Sequence, residues 1–201
     1  MIVSKKGCVS ALKEAWKRGY EIVMCAGRVA VYTGNWALEM DTRGLPLEVS
    51  QTLVEHYEGI PVEPVFVQKG KDAQIMVQGD LADRRDILAG NQEEPRLMHR
   101  VPVTFRDKWV MFTTSDGEWM CVDQAYLDIL EGMDGAEIMM TDTGMALFTG
   151  NGDSLTVAPG KFGYDDTQKL QQIARIYMEQ RIREVEMPEN LCLFDDMDRE
   201  E

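Results

Sequence analysis

Hydrophobic and polar positions change period several times along the 201-residue chain, and each change predicts an element. In CVSALKEAWKRG, Val9, Leu12, Ala15 and Trp16 recur at helical spacing, Lys13, Lys17 and Arg18 fall off that stripe, and Gly19 ends the helix. From Glu21 to Cys25 the period drops to two, with Ile22 and Met24 on one face, as in a strand. Val29 and Val31 start a second strand after Ala26-Gly27, and Ala37–Asp41 is a short third. LPLEVSQTLVEHYEG returns to a helical period through Val49, Leu53 and Val54 before Gly59. PVEPVFVQKGKDAQIMVQGD reads as a hairpin turning at Lys69-Gly70-Lys71-Asp72, and Pro61 and Pro64 assign its first strand to a sheet edge. Leu81–Leu88 reads as one or two helical turns.

Residues 89–100, AGNQEEPRLMHR, are the most linker-like part of the chain. Alternation resumes in VPVTFRDKWVMFTTSDGEWMCVD, where turns at Asp107-Lys108 and Asp116-Gly117 make a three-strand meander. Ala125–Met133 is a predicted helix, with Asp123 placed to cap it. A hairpin follows, in which Ile138 and Met140 share a face and Asp142-Thr143-Gly144 turns the chain through the positive φ that Gly144 permits. Ser154–Ala158 is another short strand. Asp165, Asp166 and Thr167 then supply caps and negative charge to a last helix striped with Leu170, Ile173, Ala174, Tyr177, Ile182 and Val185, stopping before Pro188. The plan is α+β rather than alternating βαβ, so no parallel nucleotide-binding sheet is implied.

The two predicted hairpins are alike in sequence. Glu21–Asn35 (EIVMCAGRVAVYTGN) and Glu137–Asn151 (EIMMTDTGMALFTGN) lie 116 residues apart and are identical at seven of fifteen positions without a gap. Average composition would give roughly one identity. The match reads as an internal duplication of a helix–β-hairpin/meander–helix unit, with extra antiparallel strands between the copies. It divides the chain into a first unit with an additional hairpin (1–88), the linker-like segment (89–100), a second, acidic unit (101–187) and an acidic C-terminal tail (188–201). The repeated Thr-Gly-Asn is expected to be a turn or bulge; the sharper alternative is a ligand-contacting loop.

Composition changes this picture mainly through charge. The chain carries a net −14, with 44% hydrophobic and 28% charged residues, as expected of a soluble globular protein. Residues 1–100 account for a net of −1 and residues 101–201 for −13. Between Lys108 and Lys161 there is no Lys or Arg, while nine acids occur. Such a stretch either keeps the protein dispersed or presents carboxylates to a basic groove that normally holds nucleic-acid phosphates. The candidate partner-binding acids are Asp116, Glu118, Asp128, Glu131 and Asp134. Direct nucleic-acid binding through this half is disfavoured. Cys8, Cys25, Cys121 and Cys192 form no CxxC pair and read as small apolar residues of a reducing cytoplasm. No signal peptide, membrane span or membrane partner is expected.

Catalytic motifs are lacking. There is no G-x-S-x-G and no phosphate-binding glycine loop, and the only histidines are His56 and His99. No metal site or cofactor is expected without paired Cys or His. Asn151-Gly152-Asp153-Ser154 lacks the distal Glu of a calcium loop and reads as a polar turn.

In the tail, Asn190-Leu191-Cys192-Leu193-Phe194 resembles the bacterial sliding-clamp-binding peptide, Q-L-x-L-F. Leu191, Leu193 and Phe194 match, and Asn190 stands where the pattern has Gln. The resemblance implies a DNA-replication or repair accessory protein recruited to a sliding clamp; folding back onto the body is the plainer fate of such apolar residues. Taken together, the sequence is expected to encode a non-enzymatic protein-binding module. Its most concrete form is an acidic inhibitor or decoy of the anti-restriction or anti-CRISPR type, which occupies a basic surface of a DNA- or RNA-binding protein. The clamp-recruited accessory is the first alternative, and a hydrolase with dispersed carboxylates the second.

Overall fold

Helix α1 (Lys5–Arg18) starts where Ser4 caps it, the Ser4 hydroxyl accepting the Gly7 N–H at 3.2 Å. It buries Cys8, Ala11, Leu12 and Ala15 and ends at Gly19, whose N–H donates to the Ala15 carbonyl at 2.9 Å. The computed structural model describes residues 3–25, 27–57, 66–69, 74–77, 96–131 and 135–186. Strands β1 (Tyr20–Cys25), β2 (Arg28–Tyr32) and β3 (Trp36–Asp41) follow as an antiparallel meander. Helix α2 (Leu47–Tyr57) buries Val49 and Leu53 in the same core as α1, and Trp16 and His56 pack with ring centroids 5.2 Å apart. Val54, assigned to the same stripe from the sequence, is 59% exposed.

Strands β4 (Phe66–Lys69) and β5 (Gln74–Val77) form the expected hairpin. Strands β6 (Arg96–Phe105), β7 (Trp109–Thr114) and β8 (Trp119–Asp123) form the expected second meander. A short α3 (Gln124–Leu127) precedes β9 (Glu137–Met140), β10 (Ala146–Gly150), β11 (Asp153–Val157) and the long α4 (Tyr164–Glu186). The strands make one eleven-stranded sheet in the order β5-β4-β1-β2-β3-β11-β10-β9-β6-β7-β8, with antiparallel pairing throughout. This mixture of helices and antiparallel sheet is the expected α+β class. At the centre, β3 pairs with β11, placing Leu38 opposite Leu155.

One face of the sheet is covered by α1, α2 and residues 127–130, around a core that includes Leu12, Ile22, Val31, Leu53, Phe112 and Phe148. Helix α4 covers the other face at the β6–β8 end, where Leu170 and Ala174 bury against Val101, Met111 and Cys121. Strands β7 and β8 therefore carry apolar side chains on both faces, unlike a sheet with one wetted side. Among the described residues no helix is long and apolar enough to cross a membrane.

Several expectations need correction. Strand β4 is not an edge: it pairs with β1 on one side and β5 on the other. Pro61 and Pro64 precede Phe66 in sequence, so the amides of 66–69 can all join ladders. Residues 96–100 are not linker but the first half of β6, held by pairing to β7 and, at Arg96 and Leu97, to β9. The helix predicted over Ala125–Met133 stops at Leu127, because residues 128–130 are drawn onto the start of α1. Ser4 N–H donates to the Ile129 carbonyl at 2.7 Å, and Val3 bridges Leu130.

The fifteen-residue match holds in space only up to the first turn. Ile22 lies in the core and Ile138 packs against it, so β1 and β9 present the same face. Beyond the turn the correspondence slips by one residue. Cys25 pairs with Arg28 across a two-residue turn, whereas Met140 pairs with Ala146 and Thr141 N–H with the Met145 carbonyl, leaving Asp142-Thr143-Gly144 as a three-residue turn. Val31 and Phe148 consequently share the core face, not Val31 and Leu147. A slip of one residue along a strand exchanges its faces. The Thr-Gly-Asn segments differ for the same reason. Gly34-Asn35 is the turn between β2 and β3, held by the Thr33 hydroxyl accepting from Trp36 N–H at 3.1 Å, while Asn151-Gly152 turns β10 into β11 with both residues at positive φ. The turn reading of Asn151–Ser154 is correct.

The described residues do not include Gly59, the β4–β5 turn at 70–73, Leu81–Leu88, residues 89–95, Asp134 or the tail with Leu191, Leu193 and Phe194.

Candidate functional site

The four described acids singled out from the sequence fall into two groups at opposite ends of β8, whose five residues span about 14 Å at the usual rise of ~3.4 Å per residue. The first group is the β7–β8 turn. Met98 pairs with Thr114, and this register carries Arg96 to the position opposite Asp116. Arg96 Nη1 lies 2.5 Å from Glu118 Oε1 and 3.8 Å from Asp116 Oδ2. The Thr114 hydroxyl donates to Asp116. That hydroxyl, reinforced by backbone N–H groups and by Arg96, holds the Asp116 carboxyl below its ordinary range; the bond to Glu118 raises Arg96. Asp116 and Glu118 lie together at this turn and both stay solvent-exposed, and the cation they share comes from across the sheet, outside the sequence window that lacks one.

Two more acids find cations distant in sequence: Asp166 of α4 pairs with Arg106, just after β6, at 2.5 Å, and Asp123 pairs across the sheet with Lys108 at 2.8 Å. Asp123 also caps α3 as expected, accepting the Ala125 N–H at 3.1 Å. Burial pushes its carboxyl up, but Lys108 and the Ala125 N–H outweigh that and hold it below the usual range. The folded state thus favours the charged carboxylate. This stabilisation is present above the ordinary carboxylate range and is lost as pH falls through the lowered value. Asp123→Asn is expected to lower stability at pH 7 by about 0.2–1 kcal/mol, the range of exposed ion pairs. In urea titrations the gap between parent and variant should narrow below about pH 4. A gap that stays constant with pH would assign the effect to capping geometry alone.

The second group is Asp128 and Glu131, after α3. Both are exposed, and neither makes an ion pair with a described cation; Asp128 accepts the Gln124 side-chain amide at 2.9 Å. Asp128 also lines a groove of about 640 Å³ between α1, the β2–β3 turn and α3. From α1 come Ser10 and the pair Glu14–Arg18, joined at 2.8 Å. From the turn come Gly34 and Asn35, so the sharper reading of Thr-Gly-Asn has a cavity beside it in the first copy. Buried Trp36 contributes to the lining, and Asp123 and Tyr126 line it from the α3 side.

The groove was not legible in the sequence, because its three walls are about 25 and 90 residues apart along the chain, and only packing brings them together. One local signal existed: Gly7, in the first turn of α1, although glycine is a poor helix former. A Cβ there would lie 2.1 Å from the Asp128 carbonyl oxygen, so α1 touches backbone at the groove's end.

Other candidates have structural settings. Cys8 and Cys121 are buried, and burial pushes both thiols up to about 12, in keeping with packing roles. His56 packs on Trp16. His99 lies in β6, where burial and then Arg181 lower its basicity. Among the described residues no group of three His, Cys, Asp or Glu is placed to hold a metal ion.

No protein-family model matches the chain, and no curated protein matches it. Solved structures with partial likeness include bacterial clamps. They include the beta subunit of DNA polymerase from Streptococcus pyogenes, 12% identical with a TM-score of 0.38, over 83% of this chain and 66% of that one. The Helicobacter pylori beta clamp in complex with carprofen is 11% identical with a TM-score of 0.36, over 83% and 65%. The same clamp bound to a DNA ligase peptide gives 11% and 0.34, over 83% and 68%. The chain spans about two thirds of the length of these clamps, and likeness at this level transfers neither fold nor function.

Proposed function

We propose that this protein is a non-enzymatic protein-binding module of the cytoplasm, and most concretely an acidic inhibitor or decoy that occupies a basic surface of a DNA- or RNA-binding protein. The observation that supports it best is the group of exposed carboxylates left without a cation. Arg96 is shared by Asp116 and Glu118, Lys108 pairs with Asp123 and Arg106 with Asp166, yet Asp128, Glu131 and Glu137 make no ion pair with a described cation. On a chain of net charge −14, these acids would steer a basic partner toward the α3 end of the molecule. We also propose that the chain arose by internal duplication, with α1–β1–β2–β3–α2 matched by α3–β9–β10–β11–α4 and one residue inserted in the β9–β10 turn.

The test is affinity capture from a host lysate at low and high salt, followed by a titration of the purified partner. Screening acts on every exposed contact, so the partner should be released as salt rises. Asp128→Asn with Glu131→Gln is expected to weaken binding by about 0.2–1 kcal/mol per site. Asp116→Asn with Glu118→Gln should weaken it less, since Arg96 already offsets one of those two charges. Binding indifferent to salt, or equal loss from both pairs of changes, rejects the reading.

A further inference from the structure

We infer that the groove between α1, the β2–β3 turn and α3 receives an extended, basic peptide segment, with a Lys or Arg side chain set beside Asp128; this rests on the protein-binding reading and gives it a location. Shape argues first. At about 640 Å³ the groove is in the size range of ligand sites. Small-molecule sites of that size are mostly apolar, whereas this groove is lined largely by polar groups and glycines.

Hydrogen-bonding capacity argues next. The Ser10 hydroxyl and the Asn35 side-chain amide line the groove and make no side-chain hydrogen bond within the described residues. Together they offer donors and acceptors to a passing main chain. Charge then decides the sign of the occupant. The lining carries three carboxylates, Glu14, Asp123 and Asp128, against one guanidinium, Arg18. Glu14 is balanced by Arg18 and Asp123 by Lys108, which leaves Asp128 as the carboxylate with no cation of its own. A phosphate backbone would be repelled here; a Lys or Arg side chain would complete the pairing.

Gly34 supplies a test that leaves charge unchanged. A Cβ added there meets nothing within 4 Å, and its backbone is outside the positive-φ region, so Gly34→Trp should be accommodated by the fold while filling the groove. The probe is a fluorescein-labelled nonapeptide of alternating Arg and Ser, read by fluorescence anisotropy at low salt. Gly34→Trp is expected to weaken binding at least tenfold with its melting temperature close to the parent's, and Asp128→Asn about twofold to fivefold, the equivalent of one exposed charged contact. Glu55→Gln, which removes the same charge from the exposed side of α2 outside the groove, should stay within about twofold. If Gly34→Trp does not fold, Ser10→Trp fills the groove from α1 and carries the same expectation. Equal affinity of the parent and a folded groove-filling variant would mean diffuse attraction to an acidic surface; that overturns the groove assignment and leaves the wider reading standing. No binding by the parent overturns the groove assignment, and if no partner is captured in the salt series either, the wider reading falls with it.

Discussion

Gly7→Ala is expected to lower the melting temperature by about 4–8 °C, although alanine is the better helix former. The added Cβ would lie 2.1 Å from the Asp128 carbonyl oxygen, 2.7 Å from Ile129 Cα and 3.0 Å from the Asp128 carbonyl carbon. All three are backbone atoms, and none can rotate aside. Either α1 or residues 128–130 must move, which strains the 2.7 Å bond from Ser4 N–H to the Ile129 carbonyl and the Val3–Leu130 bridge. Overpacking of this kind costs about 1–3 kcal/mol and occasionally more. The intrinsic gain of Ala over Gly in a helix, about 1 kcal/mol, offsets part of it. With three backbone contacts the cost falls at the upper end, about 3 kcal/mol, and the resulting net loss of about 2 kcal/mol corresponds to the stated shift at ~2–4 °C per kcal/mol for a chain of this size. Gly34→Ala, with nothing within 4 Å of its Cβ, is the control and should be nearly neutral. A Gly7→Ala protein that melts at or above the parent temperature would mean that α1 does not lie against residues 128–129.

Phe148→Ala is expected to cost about 3–5 kcal/mol, the usual range for deleting a fully buried aromatic side chain. Phe148 has no exposed surface and meets Phe112 edge-on, with centroids 5.6 Å apart and planes at 74°. Its neighbour Leu147 is equally buried but belongs to the opposite face of β10, away from the core that α1 covers. Leu147→Ala should also destabilise, by about 2–5 kcal/mol. The two variants should differ in where they loosen the protein. Amide exchange in α1 should accelerate beyond the global effect in Phe148→Ala and not in Leu147→Ala. The reverse pattern would restore the ungapped correspondence of Val31 with Leu147 and refute the one-residue slip.

That slip marks the limit of the sequence. Periodicity identified α1, α2, α4, both meanders and the turns at Asp107-Lys108, Asp116-Gly117 and Gly144, because these depend on local spacing and on residues suited to turns. It did not identify facing across β2 and β10. Seven identities in fifteen aligned the two stretches without a gap, and the difference between a two-residue and a three-residue turn is small in sequence but reverses the side on which every later residue falls. The helix after β8 was overextended for a related reason: its residues suit a helix, but pairing with Val3 and Ser4 claims residues 129 and 130.

The acidic surface shows the same division. By itself the sequence determined the net charge, its concentration in residues 101–201 and the presence of turn carboxylates at Asp116 and Glu118. Which of those carboxylates remain uncompensated was decided only by tertiary structure. Strand pairing sets Arg96 against Asp116 and Glu118 and Lys108 against Asp123, while Asp128 is carried to the groove beside α1 and Asn35. Coulomb attraction depends on separation in space, and an antiparallel sheet brings together side chains twenty residues apart in sequence as closely as neighbours in a helix.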